Sequence, residues 1–266
     1  MASSHDFVNW ERIGRGGFGK VYRAQPRDSQ LYPLSPDSHG YVAIKVVDKR
    51  ALKDSAAEMR LATEVAIHES LAHSSVVHIY DSFEDDRCVY LVMEYCERGD
   101  LWSGELAALS EPETRYVVQQ VAAAVAYLHA NGVLHRDLKL ANIMLSRSMG
   151  IKIGDFGLAT KIDDGSMEPT TMCGTPSYIS PEIMARQPYG FESDVWAIGC
   201  LLVTLLTGAQ PFRGVKHITD DVVSRISLPH STSPEARSLV RALLRIDPRQ
   251  RIRSQDLLAH SRAGLR

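Results

Sequence analysis

Residues 135–142 read HRDLKLAN. The stretch sets an acid (Asp137), a base (Lys139) and an amide (Asn142) within six residues, after a helix-period segment and before a short apolar run. Such a loop suits the floor of a site in which the carboxylate receives a proton and the amide holds a metal. Taken alone, it reads equally well as surface decoration. Its meaning depends on what the rest of the chain supplies.

A chain of 266 residues, 44% hydrophobic and 23% charged, has room for one large domain or two small lobes with a sizeable core. A formal charge of -2 gives no overall electrostatic case for nucleic acid or an anionic membrane. Cys88, Cys96, Cys173 and Cys200 form no CxxC pair, which points to free thiols in a reducing compartment. The longest apolar run, Val195 to Leu206, is too short to span a bilayer, and the opening MASSHDFVNW lacks the regions of a signal peptide. The expectation is an intracellular, cytoplasmic protein without nucleic-acid or membrane partners.

Toward the N-terminus, Trp10 to Ala24 (WERIGRGGFGKVYRA) sets a glycine cluster between two strand-like segments and predicts a hairpin with a glycine tip. Gly14, Gly16 and Gly19 match GxGxxG, which alone is a weak signal. A dinucleotide fingerprint requires a helix next, where KVYRA looks like a strand, and a P-loop requires Ser or Thr where Val21 stands. The form GxGxxGxV fits in full and suits a hairpin folded over a nucleotide. Gln25 to Gly40, with Pro26, Pro33 and Pro36, reads as a long loop; Ser35 before Pro36 is either a modification site or part of an inert insertion. In the strand YVAIKVVD, Lys45 is costly to bury unless it is paired or faces a site. Glu64, nineteen positions later in the helical stretch Ala56 to Leu71, is a candidate partner. Val76 to Phe83 and Cys88 to Glu94 read as further strands, giving a five-stranded antiparallel sheet with one helix.

Toward the C-terminus the chain turns helical. Ser110 and Glu113 have capping-box spacing around Pro112, and Val117, Val121, Val125 and Leu128 form one stripe before Asn131 and Gly132 end the helix. His129 reads as a favourable helix-terminal residue. IMLS and IKIG are two short strands ahead of Asp155, Phe156 and Gly157. Gly165 to Glu182 is polar and helix-poor; Ser193 to Leu206 is a helix apolar enough for the centre of a larger lobe. Ser233 and Pro234 open an amphipathic helix through Leu244. Seven arginines between Arg241 and Arg266 suggest either an anionic partner or, interspersed with Asp247 and Asp256, solvated helix faces; the second is expected.

GRGGFGKV, VAIK, Glu64, HRDLKLAN, DFG and SPE, in this order, resemble the eukaryotic protein kinase domain over essentially the whole chain. The resemblance implies an α+β, bilobal fold for residues 1–266: a small antiparallel five-stranded N-lobe with one main helix over about residues 1–94, a hinge at about 94–98, and a larger, mainly helical C-lobe over about 99–266. It implies ATP and Mg2+ as cofactors. Gly14, Gly16 and Gly19 would cover the phosphates, and Lys45, held by Glu64, would contact two of them. Asn142 and Asp155 would ligate metal, and Asp137 would take the proton from the substrate hydroxyl, with Lys139 beside it. Ile13, Val21, Ala43 and Met93 would line the nucleotide pocket, with Glu94 to Cys96 as the hinge backbone facing adenine.

Lys139 and Thr175 resemble the serine/threonine kinases, so the expected partner is a protein substrate with a Ser or Thr acceptor. In that family Arg136 receives a phosphate from the activation segment; Thr171 is the first candidate and Thr170 the second. Glu182 would pair with Arg251, and Asp194 would brace the catalytic loop. TEVAIH at 63–68, IKIGDFGLAT, TMCGTPSYISPEI, GFESDVWAIGC and Leu140 are similar to the polo-like group and its Sak branch, and imply cell-cycle or centriole control at a centrosome or spindle pole. Aurora-like and calcium/calmodulin-like kinases share parts of this wording. Four departures stand out: the 25–40 insertion, the ending HSRAGLR without an aromatic, no polo-box region, and Ala141 where many basic-directed kinases have Glu. The alternatives are a nucleotide-binding pseudokinase or a kinase of another Ser/Thr group. A small-molecule kinase ranks behind them, because it has no need of GTPSYISPE. Substrate and oligomeric state do not follow from these residues.

Overall fold

Val42–Asp48 (β3) is apolar on both faces apart from Lys45, the pattern of a strand covered on both sides, and it lies at the centre of its sheet. The computed structural model describes residues 3–16, 19–28, 30–32, 34, 38–102, 107–162 and 169–258. They fall into two compact units, residues 1–99 with 144–157, and residues 100–143 with 158–266.

In the first unit, β1 (Phe7–Arg15) and β2 (Lys20–Pro26) form the expected hairpin. With β3, β4 (Ile79–Glu84) and β5 (Cys88–Glu94) they make an antiparallel sheet in the order β1-β2-β3-β5-β4. The register sets Lys45 between Val21 and Leu91, and Ala43 between Arg23 and Met93. Helix α1 (Ser55–Glu69) starts where the Asp54 side chain accepts from the Ala57 N–H at 2.7 Å. Its buried residues Ala57, Leu61, Glu64 and His68 recur every three or four positions, so one helix face carries both apolar and polar groups inward.

The 25–40 stretch is not an inert loop. Tyr32 is buried, stacked on Phe7 with ring centroids 5.8 Å apart and set 6.0 Å from Tyr80, while Phe7 also stacks on Phe83. Ser38 is buried as well. Burying an aromatic ring is worth more than leaving the segment free, so Tyr32 ties the insertion to the sheet. Pro33, Ser35 and Pro36 lie outside the described residues.

The first unit also takes in residues 144–157, which a linear reading assigned to the later lobe. The Val77 N–H donates to the Ile153 carbonyl (2.9 Å), the Ile153 N–H donates to Ser75 (2.9 Å), and Lys152 meets Glu94 at 2.8 Å. These pairings join segments distant in sequence.

In the second unit, α2 (Glu111–Ala130) begins with the expected capping box, buries Val117, Val121, Val125 and Leu128, and ends before Gly132 in a left-handed turn. A strand, β6 (Val133–Leu134), follows the helix; β7 (Ile143–Leu145) and β8 (Ile151–Ile153) pair with each other, β8 and most of β7 belong to the first unit, and β8 leads to Asp155. β9 (Thr160–Lys161) pairs with β6, and a short helix, α3 (Pro181–Met184), closes the polar stretch. Helix α4 (Glu192–Thr207) is buried along Ser193–Leu206. It packs against α2 and against α6 (Pro234–Leu243), with α5 (Asp220–Ser224) between α4 and α6 in the chain. Among the described residues no helix is long and apolar enough to cross a membrane.

Replacing Tyr32→Ala should destabilise the protein by about 3 kcal/mol, the cost of emptying an aromatic site. Thermal unfolding checks this; an unchanged midpoint would show that the insertion is not anchored there.

Candidate active site

The first unit gathers Lys45, Glu64 and Asp155. Lys45 is 5% exposed, and a lone ammonium at that depth would be strongly unfavourable. Its Nζ is hydrogen-bonded to Glu64 Oε1 from α1 and stands 3.7 Å from Asp155 Oδ1. Burial pushes the Glu64 carboxyl upward, and the Lys45 charge opposes that rise. The other Glu64 oxygen has no hydrogen-bond partner among the described residues. The Asp155 side chain is 38% exposed, so it keeps oxygen surface for a further cation. Its backbone is left-handed at φ 59°, a conformation that costs energy in a non-glycine residue and marks a held geometry.

His68 is a site residue whose role the sequence reading missed. One turn after Glu64, its Nε2 lies 2.7 Å from the Val77 carbonyl and its ring 4.7 Å from that of Phe156, beside Asp155. Burial lowers its pKa to about 4. The only sequence signal was a polar residue on the same helix face as Glu64.

The nucleotide-pocket candidates Ile13, Gly14, Gly16, Gly19, Val21, Ala43, Lys45, Met93, Glu94 and Cys96 all belong to this unit. Gly19 has a structural reason to be glycine: a Cβ there would collide with the Val46 carbonyl of β3. Gly14 and Gly16 meet no such wall: a Cβ would lie 3.8 Å from Val21 at the first and 3.8 Å from the Lys45 side chain at the second. Gly17 and Phe18 lie outside the described residues. Ile13 is 45% exposed, whereas Ala43 is buried. The Glu94 carboxylate is occupied by Lys152 and the Glu94 N–H donates to the His78 carbonyl at 2.8 Å; burial pushes the Cys96 thiol up to about 12.

The second unit holds the HRDLKLAN loop. Lys139 Nζ donates to Asp137 Oδ2 (2.7 Å) and to Thr175 Oγ1 (3.0 Å), and the Thr175 hydroxyl donates to Asp137 Oδ1 (2.7 Å). Asn142 Nδ2 donates to the Asp137 carbonyl (2.8 Å) and to its Oδ2 (3.1 Å), so the amide oxygen is the Asn142 atom left for a metal. Asp194 from α4 accepts the His135 and Arg136 N–H groups, both at 2.9 Å, and holds Arg136 at φ 67°. Burial alone would raise this carboxyl, but hydrogen bonding from His129 and the neighbouring positive charge keep it below the usual carboxylate range.

His129 is therefore more than a helix-terminal residue. Its Nε2 meets Asp194 at 3.0 Å, its Nδ1 meets Ser254 Oγ at 2.8 Å, and its ring lies 4.6 Å from Phe191. Arg251 pairs with Glu182 as the resemblance implied, and so stands apart from the solvated faces expected of the arginine run: it is buried, grips Glu182 with two bonds of 2.8 and 3.1 Å and stands over the Trp196 ring. A bidentate partner and backbone carbonyls offset the desolvation of its charge.

Around Arg136, Nε donates to the Leu158 carbonyl and Nη1 lies 3.4 Å from the Tyr189 hydroxyl, which itself donates to the Thr171 carbonyl at 2.9 Å. The Thr170 and Thr171 side chains are exposed. At Gly174 (φ 101°) a Cβ would come within 2.7 Å of the Arg136 carbonyl, so only glycine lets the two loops touch.

Comparison with known proteins agrees with this constellation: the protein kinase domain family matches residues 7–262. The chain belongs to the protein kinase family. The kinase domain is 42% identical over 264 residues to serine/threonine-protein kinase PLK4 of Nematostella vectensis, covering 97% of this chain and 26% of that protein. It is 40% identical to PLK4 of Aedes aegypti (96% of this chain, 33% of that protein) and 40% identical to PLK4 of Xenopus tropicalis (96% and 27%). The chain thus spans about a quarter to a third of the length of these relatives. It is a serine/threonine kinase domain of the polo-like type, in a family that uses ATP and a divalent metal and acts on proteins.

The depressed His68 pKa has a stability consequence. His68 is neutral when folded and binds a proton more readily when unfolded, so its contribution is complete above about pH 6.5 and is lost as pH falls toward 4. A shift of this size corresponds to about 3 kcal/mol. Denaturant unfolding from pH 7 to 4 should show a shallower loss for His68→Leu than for wild type; parallel curves would contradict the assignment.

Proposed function

We propose that the domain transfers the γ-phosphoryl group of Mg2+-ATP to serine and threonine hydroxyls of proteins. The observation that carries the reading is the Asp137 carboxylate, which already accepts a hydrogen bond from one threonine hydroxyl, that of Thr175, beside the Lys139 ammonium. A substrate hydroxyl presents the same donor. As its oxygen bonds to the γ-phosphorus and the bond to the ADP oxygen breaks, Asp137 takes the hydroxyl proton and Lys139 offsets charge on the transferring group.

Lys45, aligned by Glu64, contacts the α- and β-phosphates under Gly14, Gly16 and Gly19. Ile13, Val21, Ala43 and Met93 enclose adenine, and the backbone from Glu94 to Cys96 hydrogen-bonds it. Asp155 and the Asn142 amide supply hard oxygen donors suited to Mg2+, which neutralises phosphate charge when bound. Phosphorylation of Thr171, or failing that Thr170, gives Arg136 an anion to replace its present neutral partners and orders the segment. From the resemblance of its wording to the polo-like group, we further propose that the protein acts in the cytoplasm in cell-cycle or centriole control, at a centrosome or spindle pole.

Asp137→Asn should lower transfer from labelled ATP to a generic protein by about 100- to 10,000-fold while nucleotide still binds. Equal transfer by the two proteins would overturn the reading. Mass spectrometry of the active enzyme should find phosphate on Thr171; full activity with both threonines unmodified would remove the regulatory part.

A further inference from the structure

Three arginines stand at four-residue spacing: Arg237 and Arg241 one turn apart on α6, and Arg245 two residues past its end. The buried face of α6 is Ala236, Leu239, Val240 and Leu243, so the arginines follow its flank. They border a groove of about 430 Å³ between α6 and the stretch that begins at α5, walled by Val223, Ile226, Leu228, Val240 and Leu244. Arg237 is committed to the backbone carbonyls of Thr232 and Pro229. Arg241 and Arg245 are exposed, and neither side chain meets an acidic partner among the described residues. Asp220 is the one acid lining the groove.

We infer that this groove docks an acidic segment of a partner protein that carries aliphatic side chains. Arg241 lies in the last turn of α6 and Arg245 just past its end, both lining the same groove, so that two guanidinium groups face one occupant. Each can take a carboxylate in a forked, charge-assisted pair, and the aliphatic walls take the leucine or isoleucine side chains between them. Other occupants fit less well. A second copy docked through the same face would oppose arginine to arginine. The chain's own residues 259–266, AHSRAGLR, bring two more arginines and no acid. Single-stranded RNA would gain the charges, but no aromatic ring lines the groove to stack its bases. None of these residues belongs to the Asp137 or Lys45 clusters, so the inference stands or falls apart from the proposed transfer reaction.

The test is fluorescence anisotropy with the whole chain and a short labelled helical peptide bearing two leucines one turn apart among glutamates. Tight, salt-sensitive binding is expected, weakened about tenfold or more by Arg241→Glu/Arg245→Glu and by glutamine in place of the peptide's glutamates. A lysine version of the peptide should prefer the doubly substituted protein. Arg241→Gln/Arg245→Gln, which keeps length and removes charge, should weaken binding with an unchanged unfolding midpoint, separating lost charge from lost fold. Equal binding of the acidic peptide to wild type and both variants, no binding at all, or its displacement by uridine oligonucleotides at lower concentration than by unlabelled peptide would overturn the inference.

Discussion

A carboxylate buried without donors is among the least favourable groups in a folded chain, and Asp194 escapes that penalty only by collecting the His135 and Arg136 N–H groups and the His129 ring. The Arg136 backbone is held left-handed by this contact, and the direction of the next residue, Asp137, follows from it. Because Asp194 lies at the start of the most buried helix and His129 at the end of α2, the loop is fixed to the best-packed part of its unit. An acid at the head of α4 also meets the positive end of the helix dipole, a second reason for it to stay ionised. The reach of Asp137 toward Lys139 and Thr175 is thus set by a residue more than fifty positions away.

The first unit applies the same logic with the opposite sign. Lys45, buried in a central strand, is paired with Glu64 and, at longer range, Asp155. Removing one partner leaves a buried ion uncompensated, which is why the strand, α1 and the turn at Asp155 form one electrostatic set. His68 adds a packing tie to the same set through Phe156. The two units therefore carry complementary chemistry: one gathers cation and carboxylates suited to phosphate and metal, the other a carboxylate that accepts a hydroxyl.

Much of this was legible in the residues. The hairpin, the lysine-bearing strand, the capping box at Ser110 and the buried helix at 193–206 follow from local periodicity and cap chemistry, and local rules survive folding. What stayed hidden depends on contacts between distant positions. His129 looked like a helix end because its partners Asp194 and Ser254 lie 65 and 125 residues on. Tyr32 looked like loop because nothing nearby shows that Phe7 and Tyr80 wait for it. Local composition set Arg251 among solvated arginines, and only the family resemblance paired it with Glu182, 69 residues back. Gly19 was read as serving phosphate alone, although the approach of β3 already forbids a side chain there. The family's motif order also supplied the Asp194 brace and the Glu182–Arg251 pair, whereas His68, His129 and Tyr32 answer to packing that no short pattern encodes.

On the proposed reading, the Asp137 carboxylate and the Lys45–Glu64–Asp155 set serve phosphoryl transfer to serine and threonine. Phosphoamino-acid analysis of a mixed protein substrate, after incubation with labelled ATP and Mg2+, tests it most directly. The account predicts label on phosphoserine and phosphothreonine; label confined to phosphotyrosine, or release of inorganic phosphate with no labelled protein, would contradict it.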